Sequence, residues 1–250
     1  MLSEAAQVAE RAKSIFSESV REPVRLIEAN NELGCAYRER VQLAQEENPN
    51  SAITRAVAAQ AVKIFEETLK LAKEKDLTVW YVDTCEDLAQ VYLLRHDYKN
   101  VTDCLAQADR AIPAIYKIKD GNFTSIAEQD CVEIFWLMLG KIELMRGDLV
   151  FDQAIQSSAK SVSHNTLREL LRYYLLSVTY FHQYSNWSLG AHSTFRHLYD
   201  RIKLIGFDDR RYLQEEIPNI AKELKVDYQR FANFYGGAFG LTISAKEEIK

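Results

Sequence analysis

The sequence predicts an all-α fold assembled from consecutive helical hairpins, and three observations carry that expectation. The chain has 9 Gly and 4 Pro among 250 residues, well under the roughly 12% of average usage. A sandwich or barrel needs turn residues about every 8–12 positions, and a disordered chain needs many more breakers, so both classes are excluded. Apolar residues recur at helical spacing, as in Ala5, Val8, Ala12 and Ile15. Finally, a large-small pair with an aromatic one turn later repeats, as Leu33-Gly34 with Tyr37 and Leu88-Ala89 with Tyr92.

Taken in order, residues 3–20 read as a single amphipathic helix with no hairpin partner before it. Such a half-hairpin leaves an apolar flank unpaired, as a piece cut from a longer array or a stand-alone N-terminal cap would. Pro23 opens the next helix, a position where its missing N–H costs nothing. The first hairpin covers about 22–75, with Leu33-Gly34 and Tyr37 on helix A and Ala61, Phe65, Thr68 and Leu71 on helix B. Between them Glu46-Glu47-Asn48-Pro49-Asn50-Ser51 marks the tip of an insertion of about two turns per helix. Ser51 is its N-cap, and the hairpin is expected to project beyond its neighbours.

The second hairpin, 77–118, carries Trp80, Leu88-Ala89, Tyr92, the turn Asp97-Tyr98, then Leu105, Ala108 and a closing Pro113. Small Ala89 and Ala108 allow close approach of the two helices, and the bulky residues fill their interior. A third hairpin over 124–163 has Trp136, Leu139-Gly140, a turn at Gly147-Asp148 and Ala154-Ile155, with Glu143 where an aromatic is expected. The fourth, 165–205, has Tyr174, Phe181, the turn Ser185-Asn186-Trp187 and Gly190. Over 206–240, Asp208-Asp209 caps a helix through Tyr212 and Ile217 to about Leu224, bent at Pro218. A short helix from Asp227 to Gly236-Gly237 completes a C-terminal helical cap, and 241–250 reads as a flexible tail.

Register and residue types of the second unit resemble the tetratricopeptide repeat, whose period is about 34 residues. That resemblance implies a right-handed α-solenoid. Longer stretches, including Leu33-Gly34-Cys35-Ala36-Tyr37-Arg38-Glu39-Arg40, Trp80 to Ala89 and Leu139-Gly140-Lys141-Ile142-Glu143-Leu144-Met145-Arg146-Gly147, are similar to the C-terminal tetratricopeptide regions of bacterial STAND-class signal-transduction NTPases. The resemblance covers about residues 4–205. It implies a region that senses a ligand or partner and restrains a neighbouring ATPase until it binds. The nucleotide motifs of that class are not in this chain.

The resemblance also implies a binding surface, because side chains one, two and five residues from the large-small pair face the concave groove of such arrays. In the first unit these are Asn31, Cys35, Arg38 and Glu39; in the second, Asp83, Glu86, Gln90, Leu93 and Leu94. The third supplies Leu137, Lys141, Leu144 and Met145, and the fourth Arg172, Thr179, His182 and Gln183. Leu137, Leu144 and Met145 have a second reading as residues buried against the following hairpin. An extended peptide or a partner helix suits such a groove, whereas too few cations converge to clamp a free C-terminal carboxylate. Arg38→Glu or Gln90→Ala is expected to abolish partner binding and leave helicity intact.

Charge and motifs narrow the partners. A net charge of −5 with 47% apolar residues offers no electrostatic footprint for nucleic acid or an anionic membrane. The apolar stretch from Ile134 to Leu139 ends at Glu133 and Lys141, far short of the roughly 20 residues of a spanning helix. No charged segment followed by an apolar one opens the chain, so the expected compartment is the cytoplasm, where the sequons at Asn122 and Asn186 stay unused. Cys35, Cys85, Cys104 and Cys131 form no CxxC pair and read as reduced, half-buried helix residues.

No catalytic or cofactor pattern appears. Gly236-Gly237-Ala238-Phe239-Gly240 lacks the Lys-Ser/Thr of a phosphate loop. His192 and His197 lie five apart and diverge on one helix, so a metal triad with His182 is disfavoured. Asp83, Glu86 and Asp87 sit near a helix start, where the dipole accounts for them better than paired-carboxylate chemistry. The expected function is therefore a non-enzymatic module, without cofactor or metal, that binds a protein, a peptide or neighbouring domains of its own polypeptide. Two other readings stand beside it. One is a small-molecule or enzymatic site in the aromatic-rich C-terminal region, built around Tyr174, His182 and Tyr212. The other is a self-associating array that pairs the unpartnered first helix with a second copy.

Overall fold

A computed structural model describes residues 2–17, 23–49, 51–117, 128–157, 162–183, 188–204 and 210–225. The described residues are all-α: nine helices and no strand. They are α1 (Leu2–Ile15), α2 (Pro23–Glu47), α3 (Ala52–Glu74), α4 (Thr78–Leu94), α5 (Tyr98–Lys117), α6 (Glu128–Gln156), α7 (His164–Gln183), α8 (Ser188–Leu204) and α9 (Arg210–Leu224). None of the described helices is long and apolar enough to cross a membrane. The chain divides into two compact units, with the boundary inside α6 between Met138 and Leu139.

In the first unit each helix from α1 to α5 packs on the next, and α2 also packs on α4. Pro23 is the first residue of α2 and Ser51 caps α3, its hydroxyl accepting from the Thr54 amide at 3.0 Å. Thr54 Oγ1 in turn donates to the Ala44 and Asn48 carbonyls, which locks the tip around Pro49. At 25 and 23 residues, α2 and α3 are longer than α4 and α5 at 17 and 20. Pro113, expected to close its hairpin, instead lies inside α5; its side is exposed, so the lost backbone hydrogen bond leaves no carbonyl stranded in the core. The inner face of α1 buries Ala6 and Ala9 against Leu33, Ala36 and Ile64. Its outer face presents Val8 and Ile15 to solvent.

Gly34 shows why the large-small pair is needed. A Cβ added there would stand 2.5 Å from Cε1 of Phe65, whose ring is fully buried and has nowhere to swing. Gly34→Ala gains about 1 kcal/mol of helix propensity but incurs overpacking of about 1–3 kcal/mol. We expect a net loss of roughly 1 kcal/mol, recovered on adding Phe65→Leu, as read from urea unfolding of the single and double variants. Additive effects of the two substitutions would show that the ring does not set the spacing.

In the second unit the expected turn at Gly147-Asp148 is absent, because α6 continues unbroken to Gln156. The glycine serves close approach: a Cβ on Gly147 would meet the Tyr174 ring at 2.8 Å, and one on Gly140 the Phe181 ring at 2.8 Å. These contacts run 140 to 181 and 147 to 174, so α6 and α7 are antiparallel. The 124–163 hairpin is thus one long helix over its described residues. α7 packs on α8 and α9, and α9 contains Pro218. The turn Ser185 to Trp187, the capping pair Asp208-Asp209, the short helix after Asp227 and the tail all lie outside the described residues.

Candidate functional site

Side chains expected in the groove divide into three groups. The first stitches α2 to α4. Thr84 Oγ1 donates to Asn31 Oδ1 at 3.2 Å, Arg38 Nη1 donates to Asp87 Oδ1, and Gln45 Nε2 donates to the Leu94 carbonyl at 2.7 Å. Because partners rise together along both helices, α2 and α4 are parallel. Asn31 and Glu86 are buried, at 7% and 4% exposure, and Glu86 accepts from Gln90 within α4. Leu94 packs against Val41, Val57 and Ala58.

Asn31 and Glu86 are thus buried side chains, and Leu94 is half-buried against the cluster of Val41, Val57 and Ala58. Arg38 keeps 19% of its side chain exposed. Cys35 lies beside the same carboxylate, its Sγ 3.8 Å from Asp87 Oδ1. Burial first, then the Asp87 charge, pushes its thiol up to about 12, as expected of an unreactive helix cysteine. Cys85 and Cys104 are likewise pushed to about 12, chiefly by burial. Glu39 is exposed, while Asp83 and Gln90 are half-buried.

A second group belongs to α6 and the far part of α7. Met145 is buried at 3% exposure, which settles its two readings in favour of packing. Lys141 is half-buried. Thr179 Oγ1 donates to its own helix at the Leu175 carbonyl, 2.7 Å away, and His182 is half-buried. Tyr174, His182 and Tyr212, named for the alternative small-molecule reading, are set apart in the described residues. Tyr174 is fully buried with its hydroxyl on Asp148, and Tyr212 stacks on His164 at 4.3 Å. His164 and His182 stand at opposite ends of α7, about 27 Å apart at 1.5 Å per residue.

The third group forms an open groove of about 570 Å³ along α6 and α7. Glu143 and Arg146 line it from α6; Asn165, Arg168, Glu169, Arg172, Tyr173 and Leu176 line it from α7. Of the expected residues only Arg172 is here. The α7 side chains follow spacings of three and four, one stripe of a helix, so the sequence did carry their signal. The family offsets masked it by selecting Thr179 and His182 instead.

Its electrostatics are mixed. Arg168 bridges Glu216 and Glu223, and Arg172 Nη1 donates to Glu223 Oε1 at 3.0 Å. These pairs, with Tyr212 donating to the His164 carbonyl at 3.2 Å, align α9 parallel to α7 and set one edge of the groove. Exposed pairs of this kind contribute little to stability and leave the Arg168 and Arg172 side chains accessible at 43% and 49%. The Tyr173 phenol is raised above its usual range, by burial first and then by Glu169, so it stays a neutral donor. Such a surface can hold peptide backbone and charged side chains by hydrogen bonds while Leu176 and the Tyr173 ring supply apolar contact. No protein-family model matches the chain, and comparison with the curated proteins returns no match.

Proposed function

We propose that the chain is a non-enzymatic, helical-repeat module that binds a protein or peptide segment along the α6–α7 groove. The observation that carries this reading is the groove itself: open, lined by one polar stripe of α7, and rimmed by accessible Arg168, Arg172 and Tyr173. Support for a repeat array comes from a shared geometry. Side chains joining α2 to α4 are 49 to 53 residues apart, and those joining α7 to α9 are 48 to 55 apart. Both pairs are parallel, the relation between successive A helices in a right-handed α-solenoid of tetratricopeptide-like hairpins. A place in a STAND-like signalling protein, with a neighbouring domain as partner, extends the same proposal.

A displayed random-peptide library tests it. We expect ligands of about micromolar affinity whose binding weakens at least about tenfold in Glu169→Lys and Tyr173→Ala, both groove-lining positions. Far-UV circular dichroism of the variants should match the parent. Failure to enrich any sequence, or affinities indifferent to both substitutions, would remove the groove from consideration.

A further inference from the structure

A smaller cleft in the first unit is lined by charges of one sign among the described residues. It has a volume of about 210 Å³ and lies where the end of α2 and the start of α3 meet the turn between α4 and α5. Gln45, Pro49, Thr54 and Ala58 form its neutral surface, and Arg55, Arg95 and His96 supply every charged or titratable group of its lining. Among the described residues no carboxylate lines it, although acidic residues outnumber Lys and Arg by 36 to 31 over the chain. By contrast, the α6–α7 groove mixes Arg with Glu, and a cleft between α3, α4 and α5 mixes Lys73 and Arg110 with Asp76.

We propose that this cleft binds a phosphoryl group, free or esterified. Its three basic side chains come from two separate segments, residue 55 on α3 and residues 95 and 96 after α4. A carboxylate is satisfied by a single guanidinium fork, whereas a dianionic phosphate offers three peripheral oxygens and takes two forks and an imidazole together. The neutral wall is already committed. The Gln45 amide donates to the Leu94 carbonyl, and Thr54 Oγ1 donates to the Ala44 and Asn48 carbonyls. These bonds fix the shape of that wall.

The position of His96 makes the site testable without harming the fold. Its φ is 55°, the left-handed conformation that follows a helix end and ordinarily falls to Gly or Asn. Removing this side chain as His96→Gly relieves the backbone rather than straining it. Its Nδ1 is 3.5 Å from the Tyr98 hydroxyl, an exposed contact that matters little to stability.

The test is a titration of the full chain with inorganic phosphate, followed by NMR of the histidine rings at fixed pH and ionic strength. The His96 signal is assigned by its loss in His96→Gly. We expect a saturable shift of that signal with the His164 signal unmoved, and affinity at least about tenfold weaker in Arg55→Gln/Arg95→Gln. O-phosphoserine as a second probe separates the sources: tighter binding than phosphate assigns an esterified group, and weaker binding the free ion. A shift that does not saturate, an equal response in the double variant, or acetate binding as tightly as phosphate would overturn the proposal. The groove on α6 and α7 shares no residue with this cleft, so neither result bears on the other.

Discussion

Tyr174→Ala is expected to destabilise the second unit by about 3–5 kcal/mol, the range for deleting a fully buried aromatic ring. The ring is at 0% exposure, packed on Gly147 from α6 and edge-on to His197 from α8 at 6.0 Å. The hydroxyl adds a second, smaller loss. It donates to Asp148 Oδ1, which also accepts from Arg201 Nη2 at 3.0 Å and lies 2.9 Å from His197 Nε2. Tyr174→Phe keeps the ring and removes only that donor, for about 1–2 kcal/mol. Urea unfolding of the two variants separates packing from hydrogen bonding; equal losses would mean that the ring contributes nothing.

The same network sets a pH dependence of known sign. Burial alone would raise the Asp148 pKa, but the His197 hydrogen bond, the Arg201 and His197 charges and the Tyr174 hydroxyl together hold it below the ordinary 3.8. A depressed carboxylate pKa stabilises the fold fully above the unfolded value and loses that contribution as pH falls through the folded one. Tyr174→Phe weakens the depression, so its acid transition should move to higher pH than that of the parent.

Asp148 also marks the limit of what was legible in the sequence. Scarcity of breakers and helical periodicity suffice for the all-α class, and the Ser51 cap is visible because capping is local. Gly147-Asp148 looks like a turn for the same local reason: both residues favour turns. In the continuous α6 these two residues instead meet the ring of Tyr174 and the basic groups of His197 and Arg201, all distant in sequence. Nothing near position 147 announces them. Site residues depend on a different kind of information. Family offsets name positions on a helix face without knowing how closely the next helix approaches, and at α2–α4 that approach buries Asn31 and Glu86. The α7 stripe from Asn165 to Leu176 needed no partner knowledge, only its three-four spacing.

Arg38→Glu, which from sequence alone should spare the fold, is now expected to cost about 3–5 kcal/mol, the range for breaking a buried ion pair. Arg38 is 19% exposed and its partner Asp87 only 9%; Glu86, buried at 4%, lies near enough to act on the same guanidinium. A glutamate at 38 would therefore bring a third carboxylate beside Asp87 and Glu86, across the contact that sets α4 parallel to α2. Loss of partner binding in this variant would then report a disturbed α2–α4 interface rather than a lost ligand contact. Arg38→Met combined with Asp87→Leu isolates the electrostatic part. If the cost of Arg38→Glu is an uncompensated buried charge, the apolar pair should recover most of the stability, since such replacements are often neutral or favourable. The double-mutant cycle requires that recovery as a coupling energy well above the roughly 0.5 kcal/mol of independent sites. An Arg38→Glu protein as stable as the parent would mean that the pair is solvated, and would return Arg38 to the list of residues open to a ligand.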